Sequence, residues 1–560
     1  MSVCCSYNFK MQERRPKRRL SCIYVAGNGF FVVSLQWIIG TWLWSGFLLC
    51  AYHWTYIKNL YRINMTFFTS ENLIFVGSIL VFCSILITKA GGRFGMPTLL
   101  LFLVAGMLFG SDGLGIHFNN VGQAQFVGMV ALCVILFTGG LETKIGDIKP
   151  VLGPGLTLST IGVLLTTLFT GVFIYLMSLW TAIPFELPLV TCFLLAATMS
   201  STDSATVFNI LRGKSVNLKG SLQPMLELES GSNDPMAYIL TVVLIQLALT
   251  VGDGSFSGID ASALVVDSLK VLVQQLAAGA MIGGGAGYAT VWVMKKVNLN
   301  NVPLYSIMLM SMIFFVFSIT DMLGGNGYLA VYLAGIIVGN NKMRERRQVI
   351  AFFDGMTWIV QIGMFLLLGL LVDPSEMWKS ALAALLIGLF MMIVARPLSV
   401  VLSLLPFSDI PVRAKVLVSW IGLRGAVPII FAIYPVVEHV PGSDEIFNVV
   451  FFITLLSLVL QGSTIVKSAE MLGLMLPDSP KRQFDVELPE EAGEQSEIEV
   501  TGEMLREKGA TIAALSLPRG VLVVFVKRNG KYLVPNGTME LLEGDYLLTI
   551  ASSEVEDSVE

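Results

Sequence analysis

The sequence LELESGSNDP, residues 226–235, places three carboxylates inside a segment that is otherwise long and apolar enough to cross a membrane. An ionised carboxylate in hydrocarbon costs about 3 kcal/mol or more, so such groups are usually paired, turned toward a cavity or part of an ion pathway. The segment therefore predicts a membrane protein that moves ions or protons.

The composition of the 560-residue chain agrees with a membrane environment. Hydrophobic residues make up 54% and charged residues 14%, whereas a soluble domain carries about 25% charged residues. The net charge of −4 is not that of a nucleic-acid-binding protein. The seven cysteines show no CxxC or metal-ligand spacing, so no disulfide framework, resident metal or cofactor is predicted.

Apolar runs of membrane-spanning length recur along most of the chain. A bilayer takes about 20 apolar residues per helix, and about 13 such runs follow residue 70. The predicted spans are residues 71–89, 97–111, 122–141, 154–179, 187–211, 221–250, 267–294, 302–322, 325–340, 351–372, 378–405, 412–437 and 444–470. We therefore expect an all-α polytopic membrane domain.

Basic residues occur in alternate loops between these spans. The basic loops contain Lys89, Arg93, Lys144, Lys149, Arg212, Lys214, Lys219, Lys295, Lys296, Lys342, Arg344, Arg346, Arg347, Arg413 and Lys415. In the intervening loops, Lys379 is the only lysine or arginine. Lysine and arginine collect on the cytoplasmic side, so the alternation supports thirteen helices and a cytoplasmic C-terminus.

The ends of the chain differ from its apolar middle. Residues 1–64 hold a basic cluster before an apolar run, which predicts either a signal anchor or an upstream translation. The membrane domain is predicted at residues 65–476 and an acidic linker at 477–500. Residues 501–560 predict a small α/β cytoplasmic domain, with candidate strands at 511–517, 521–526 and 546–551 between turn signals.

The polar residues of the sixth span fall on one side of a helix. Glu229 and Asn233 are four residues apart, as are Ser230 and Asp234, so the two pairs form adjacent stripes. Asp234 is the favoured ion-binding group. For Glu229 we favour neutralisation by a buried arginine, and the same structural role is the alternative for the other carboxylates.

Two further spans contain matching polar interruptions. The fifth span, 187–211, has an unusually polar centre, TMSSTDSAT at residues 198–206, where Asp203 is placed to cap a half-helix. The twelfth span contains GLRGAVP, residues 422–428. Interrupted helices at corresponding positions of two halves indicate a transporter site built from inverted repeats. Arg396 and Arg424 are the available counterions for Glu229 and the aspartates.

Together, the motifs resemble one transporter family. STD at 201–203, ES at 229–230 followed by ND at 233–234, ARP at 395–397 and GLRGAV at 422–427 are similar to the monovalent cation:proton antiporter-1 family, from about residue 71 to the C-terminus. Within that family, ESGSNDPMA at 229–237 and NGYLAVYLAG at 326–335 resemble bacterial NhaP-type potassium/proton antiporters. PNGT at 535–538, with Leu541 and Gly544-Asp545, resembles the TrkA-C, or RCK C-terminal, module.

The resemblance implies an NhaA-like antiporter fold with discontinuous fifth and twelfth helices. It implies a homodimer in the bacterial inner membrane, surrounded by lipid, with a regulatory ligand at the C-terminal domain. Asp234 would carry a cation or a proton, assisted by Asp203, Thr202 and Ser230. Glu229 would pair with Arg396. Asn233 stands where electrogenic relatives carry a second aspartate, which implies electroneutral exchange.

Competition at one carboxylate would couple the two fluxes. Burial favours the protonated form of an acid and a bound cation favours the ionised form, so cation and proton exclude one another at Asp234. The favoured substrates are K⁺ and H⁺, with Na⁺/H⁺ exchange as the alternative. A cation channel is less favoured because no TVGYG-like filter is present. An intramembrane enzyme lacks a motif such as HExxH.

Overall fold

The computed structural model describes most of the chain after residue 96. The described residues are 97–476 and 494–551, apart from 117, 181–184, 214–215, 217, 252–260, 298–300, 344–345, 516 and 519, together with short pieces within 21–34 and 75–86. Two compact units are present, residues 1–73 and 74–560.

The second unit is mostly helical. Its helices, in chain order, are α1 (Gly77–Leu86), α2 (Thr98–Phe109), α3 (Val121–Glu142), α4 (Ile145–Ser178), α5 (Leu189–Thr198), α6 (Ser204–Gly213), α7 (Leu222–Val251), α8 (Ala261–Lys296), α9 (Val302–Met322), α10 (Gly327–Gly339), α11 (Arg346–Leu371), α12 (Pro374–Ser403), α13 (Val412–Trp420), α14 (Ala426–Val437), α15 (Ser443–Met471) and α16 (Gly502–Lys508).

Eight of these helices are long and apolar enough to cross a membrane: α3, α4, α7, α8, α9, α11, α12 and α15. Five shorter apolar helices accompany them within the described residues: α1, α2, α5, α10 and α14. The chain is therefore a multi-span membrane protein.

Small residues let several of these helices approach closely. A Cβ on Gly140 of α3 would lie 2.5 Å from the carbonyl oxygen of Tyr332 in α10, and a Cβ on Gly335 would lie 2.6 Å from that of Phe137. Membrane helices associate through such small-residue contacts because lipid gives no hydrophobic drive between them. These glycines therefore fix α10 against α3 beside the candidate site.

Two apolar segments are interrupted near their middle. Residues 199–203 are non-helical between α5 and α6, and residues 421–425 are non-helical between α13 and α14. The same residues are buried or partly buried. Irregular backbone at membrane depth is tolerated where protein covers it or where it lines a water-filled cavity. These two interruptions place polar backbone groups at the centre of the helical bundle.

The C-terminal domain is a four-stranded antiparallel sheet with one helix, α16. Its strands are β3 (Glu494–Glu499), β4 (Val521–Arg528), β5 (Lys531–Leu533) and β6 (Tyr546–Ala551), in the order β3-β6-β4-β5. Strand β3 lies within residues 477–500, which the sequence predicts to be a linker. Its residues pair with β6 and therefore belong to the sheet.

One predicted strand of this domain is not formed. The described part of 511–517 is a turn with a single bridge to Glu540. The amides of Ala514 and Leu515 bond back to the carbonyl of Thr511, whereas those of Ile512 and Ala513 bond to the carbonyls of Met539 and Gly537, so the segment is held in place without forming a regular strand. A compact core of Val500, Leu515, Val523, Val526, Leu541 and Leu547 lies beneath the sheet.

The first unit contains a described antiparallel pair, β1 (Ser21–Ala26) and β2 (Gly29–Ser34). Strand β2 falls inside the apolar run that the sequence suggested as a signal anchor. The rest of that run and the basic cluster before it lie outside the described residues.

Candidate functional site

Asp203 occupies the junction between the first interruption and α6. Its Oδ1 accepts a hydrogen bond from the amide of Thr206 at 3.0 Å, and its Oδ2 accepts one from Thr206 Oγ1 at 2.6 Å. This is the N-cap geometry expected of an aspartate. The amide of Asp203 donates to the carbonyl of Leu423 at 2.8 Å. Asp203 therefore caps α6 and also joins the two interruptions.

Gly425 allows this junction to form. A Cβ at Gly425 would lie 1.9 Å from Asp203 Oδ2, which is closer than side chains approach. The second interruption therefore requires a residue without a side chain where it meets the Asp203 carboxylate.

Arg424 binds the first interruption through backbone carbonyls. Its Nη1 donates to the carbonyl of Ser200 at 2.9 Å and to the carbonyl of Ser201, and its own amide donates to Ser457 Oγ at 2.9 Å. From sequence, Arg424 was an available counterion for the buried carboxylates. Its described hydrogen bonds instead go to carbonyls that the non-helical backbone leaves without helical partners.

Asp234 lies against the first interruption on one face of α7. Ser201 Oγ donates a hydrogen bond to Asp234 Oδ1. Ser230 Oγ donates to the carbonyl of Thr202 at 2.9 Å, and Asn233 Nδ2 donates to Thr202 Oγ1 at 2.5 Å. The structure thus brings Asp234, Ser230 and Asn233 together with Thr202 and its neighbours.

Asn233 presents an unsatisfied oxygen in this cluster. The side chain is fully buried, and its Oδ1 has no hydrogen-bond partner among the described residues. A buried acceptor without a partner costs about 1–3 kcal/mol. This oxygen is therefore available to a bound cation or water molecule.

Glu229 and Arg396 form a buried ion pair. Arg396 Nη2 contacts Glu229 Oε1, and both side chains are at most 2% exposed. Arg396 directly follows a wide helical turn, Met391–Ala395, within α12. Turns of this π type interrupt regular helices and often occur at functional sites. The pair predicted from sequence is thus present, and it joins α7 to α12.

A cavity of about 320 Å³ reaches Asp234 from one end of the bundle. We call it the carboxylate cavity, because its lining includes Glu142, Asp203, Glu227, Asp234 and Asp354. Glu142 ends α3, and Asp354 lies two turns into α11. Both residues are close in sequence to basic loops, so the cavity opens toward the end of the bundle that carries those loops.

An aromatic cluster lies on the opposite side of Asp234. Tyr238, one helical turn after Asp234, stacks edge-on against Tyr328 and Tyr434 at ring distances of 4.9 and 5.4 Å. The hydroxyls of Tyr328 and Tyr434 are 3.0 Å apart, and Phe431 completes the cluster. These contacts join α7, α10 and α14 about one helical turn beyond Asp234.

Several residues of the site were not singled out by the sequence analysis. Ser201 was quoted in a motif but not selected as a ligand, although its hydroxyl binds Asp234. Tyr332 lies in a stretch used only for resemblance, yet it lines the cavity. Asn326 both caps α10 and donates to the carbonyl of Pro235 at 2.8 Å. The polar run around Ser201 was a signal for the first of these, whereas the other two depend on contacts distant in sequence.

Comparison with known families places most of this chain in one of them. The family described as "Sodium/hydrogen exchanger, transmembrane" matches residues 32–469, and the TrkA-C domain matches residues 508–560. The first match includes every helix from α1 to α14 and most of α15.

Curated relatives cover a similar part of the chain. The K(+)/H(+) antiporter NhaP2 of Shewanella sp. (strain ANA-3) is 38% identical over 484 residues, which are 85% of this chain and 80% of that protein. The K(+)/H(+) antiporter NhaP of Alkalimonas amylolytica is 39% identical over 72% of this chain and 67% of that protein. The Na(+)/H(+) antiporter NhaG of Bacillus atrophaeus is 28% identical over 57% of this chain and 59% of that protein.

A solved structure has the same fold. The sodium proton antiporter MjNhaP1 from Methanocaldococcus jannaschii matches with a TM-score of 0.60 at 22% identity, over 72% of this chain and 98% of that one. Helices, interruptions and family matches agree, and the chain belongs to the sodium/hydrogen exchanger family of antiporters, which exchange a monovalent cation for protons.

Proposed function

We propose that this antiporter exchanges K⁺ for H⁺ at Asp234. The observation that carries the proposal is the position of Asp234 where the carboxylate cavity meets the first helix interruption. Burial favours the protonated form of a carboxylic acid, and a bound cation favours the ionised form. Cation and proton therefore exclude one another at this residue.

The groups around Asp234 supply oxygen ligands for a dehydrated monovalent cation. Asp203, Thr202 and Ser230 lie beside Asp234. The Oδ1 atom of Asn233 has no hydrogen-bond partner among the described residues. Such a site moves through the low-dielectric barrier only when the carboxylate is neutralised, because a bare charge there is costly. Glu229 and Arg396 hold α7 to α12 and do not bind the cation in this proposal.

Asn233 makes the exchange electroneutral. A neutral amide beside Asp234 leaves one titratable carboxylate in the exchange reaction. One cation or one proton then neutralises the site in each direction, and no net charge crosses the membrane. The proposal is supported by the family resemblance, in which electrogenic relatives carry a second aspartate at the position of Asn233.

The membrane domain has thirteen spans arranged as inverted repeats in this proposal. The eight long helices and the five shorter apolar ones fall one in each predicted span, which supports that count. The interruptions of the fifth and twelfth spans are then corresponding elements of the two halves. The homodimer and the movement of a core bundle against a dimerisation domain follow from the family resemblance.

The basic loops and the C-terminal domain lie on the cytoplasmic side of the bacterial inner membrane. Contacts between the α6–α7 loop and the chain after α15 support this orientation. The amide of Lys219 bonds to the carbonyl of Leu474 at 2.8 Å, and Lys219 Nζ bonds to that of Gly473 at 3.0 Å. The chain thus leaves α15 beside a basic loop, and basic loops favour the cytoplasm.

The conformation corresponds to an inward-facing state. The carboxylate cavity reaches Asp234 from the basic end, and the aromatic cluster of Tyr238, Tyr328, Phe431 and Tyr434 closes the other side. Transport would require this cluster to separate while the cavity closes. The TrkA-C domain would regulate that change by binding a ligand.

The choice of K⁺ rests on relatives that carry that substrate in their names, at 38–39% identity. Na⁺ is the second candidate, because the family description and the more distant NhaG relative name sodium.

A titration of proton exchange with K⁺, Na⁺, Rb⁺ and Li⁺ in membrane vesicles separates these substrates. The proposal predicts the lowest half-saturating concentration for K⁺ at every pH tested. A preference for Na⁺ would reject the substrate. Cation flux without counter-movement of protons would indicate a channel and would reject exchange.

A further inference from the structure

The carboxylate cavity contains a second group of oxygen atoms at some distance from Asp234. Glu227 is half-buried and lines the cavity together with Asp234. The two residues are seven positions apart on α7, which places Glu227 two turns, or about 10 Å, nearer the basic end. No role for Glu227 was predicted from the sequence.

Tyr332 of α10 faces the same part of the cavity. Its side chain is 2% exposed, and its ring covers Gly231, where a Cβ would lie 2.4 Å from ring atoms. The hydroxyl has no hydrogen-bond partner of normal geometry among the described residues, although Thr143 and Ser232 are its polar neighbours. A buried hydroxyl is normally satisfied, so this oxygen points to an occupant of the cavity.

The negative charge of the cavity favours a cation as that occupant. Five carboxylates line it, and its lining includes no Lys, Arg or His among the described residues. A low-dielectric cleft lined by one sign of charge concentrates ions of the opposite sign. A volume of about 320 Å³ also leaves room for several water molecules beside a cation.

We propose that Glu227 and Tyr332 form a second cation-binding position, which holds a partly hydrated monovalent cation before it reaches Asp234. The Glu227 carboxylate supplies the charge and the Tyr332 hydroxyl supplies a neutral oxygen ligand. Gln223 Nε2 donates to Glu227 Oε1 at 3.0 Å and orients the carboxylate. This inference rests on the proposed role of Asp234 and adds a waiting position on one side of it.

The second position should change the apparent affinity only for cations that enter from one side of the membrane. The Glu227 charge raises the concentration of cations inside the carboxylate cavity, and its loss corresponds to about a tenfold change in apparent affinity for cations that enter there. The effect applies to cations that enter through the carboxylate cavity. Cations that enter from the opposite side reach Asp234 without passing Glu227.

The first test measures exchange in vesicles of both orientations. Glu227→Gln should raise the KM for K⁺ about tenfold when K⁺ is added on the side of the basic loops, with Vmax retained and the KM from the other side unchanged. Tyr332→Phe should raise the same KM by a smaller factor. Glu376→Gln, at an exposed glutamate that pairs with Lys379, is the matched control and should leave both KM values unchanged.

The second test measures Rb⁺ binding to purified protein by equilibrium dialysis. Asp234→Asn protein should retain one saturable Rb⁺ site, and the double variant Asp234→Asn/Glu227→Gln should lose it. Unchanged KM values in Glu227→Gln, or Asp234→Asn protein without saturable binding, would overturn the second position. Proton exchange that survives Asp234→Asn would instead overturn the proposed role of Asp234, so the two failures are distinguishable.

Discussion

Glu229 and Arg396 show how a buried charge is tolerated in this bundle. Each side chain is almost fully buried, and each is the ionic partner of the other. A buried ion pair adds little net stability because desolvation opposes the attraction, but removing one partner leaves an uncompensated charge. We therefore expect that loss of either partner destabilises the fold, even though the pair lies close to the proposed carrier, Asp234.

We expect Glu229→Gln to lower the free energy of unfolding by about 3–5 kcal/mol, because Arg396 would remain buried without a counterion. Thermal unfolding of purified protein in detergent measures the loss. Lys379→Gln breaks the exposed pair with Glu376 and should change stability by about 1 kcal/mol or less. Equal effects of the two substitutions would contradict the assignment.

Asn233 is expected to decide the charge carried in each exchange cycle. Wild-type exchange should proceed at the same rate with or without a membrane potential imposed by a thiocyanate gradient, because one monovalent cation replaces one proton. Asn233→Asp adds a second carboxylate beside Asp234 and should make exchange voltage-dependent. A clear voltage dependence of the wild-type rate would reject electroneutrality.

The two helix interruptions act as one element. The amide of Asp203 bonds to the carbonyl of Leu423, and Arg424 bonds back to the carbonyls of Ser200 and Ser201. Each interruption therefore supplies partners for backbone groups that the other leaves unsatisfied.

Gly425→Ala should reduce exchange at least tenfold, because the added methyl group would occupy the position of the Asp203 carboxylate. Exchange in vesicles, normalised to protein in the membrane, measures this effect. Gly363→Ala in α11 is the matched control, since a Cβ there meets no atom within 4 Å. Wild-type activity in Gly425→Ala would show that the close approach at this glycine is dispensable.

Much of the site was predictable from sequence for a specific physical reason. Charged and hydroxyl residues are conspicuous inside apolar segments, so Asp203, Glu229 and Asp234 could be selected and Arg396 proposed as a partner. The carbonyls that bind Arg424 were not predictable, because a backbone carbonyl loses its helical partner only where the helix is interrupted. Tyr332 was missed for a related reason: a tyrosine in an apolar run gives no sign that it lines a cavity.

At the level of the whole chain, the membrane bundle was easier to predict than the C-terminal domain. Membrane spans have long apolar runs and alternating loop charge, and both signals extend over many residues. The short strands have neither. Strand β3 carries three glutamates and resembles a linker, yet it pairs with β6.

The C-terminal sheet contains a buried carboxylate, Asp545, that pairs with Arg528 at 2.7 Å. Burial acts to raise the pKa of Asp545, but hydrogen bonds from Arg528 and the amide of Leu542 outweigh it and lower that pKa from 3.8. A lowered folded-state pKa stabilises the domain above the unfolded pKa, and the contribution is lost as pH falls through the folded value.

Hydrogen exchange of residues 521–551 in the full-length protein tests this dependence. Protection should be constant across neutral pH and should fall only below about pH 4, as first the unfolded-state carboxyl and then the folded one takes up a proton. Arg528→Gln should reduce protection already at neutral pH. A loss of protection near neutral pH in the wild type would contradict the role of Asp545.

The exchange of K⁺ for protons through Asp234 is tested most directly by one substitution. In inside-out vesicles, addition of K⁺ should drive proton movement in the wild type and in Asp267→Asn, a matched change at an exposed aspartate of α8. Asp234→Asn should abolish that movement while the protein remains in the membrane. K⁺-driven proton exchange at the wild-type rate in Asp234→Asn would contradict the account.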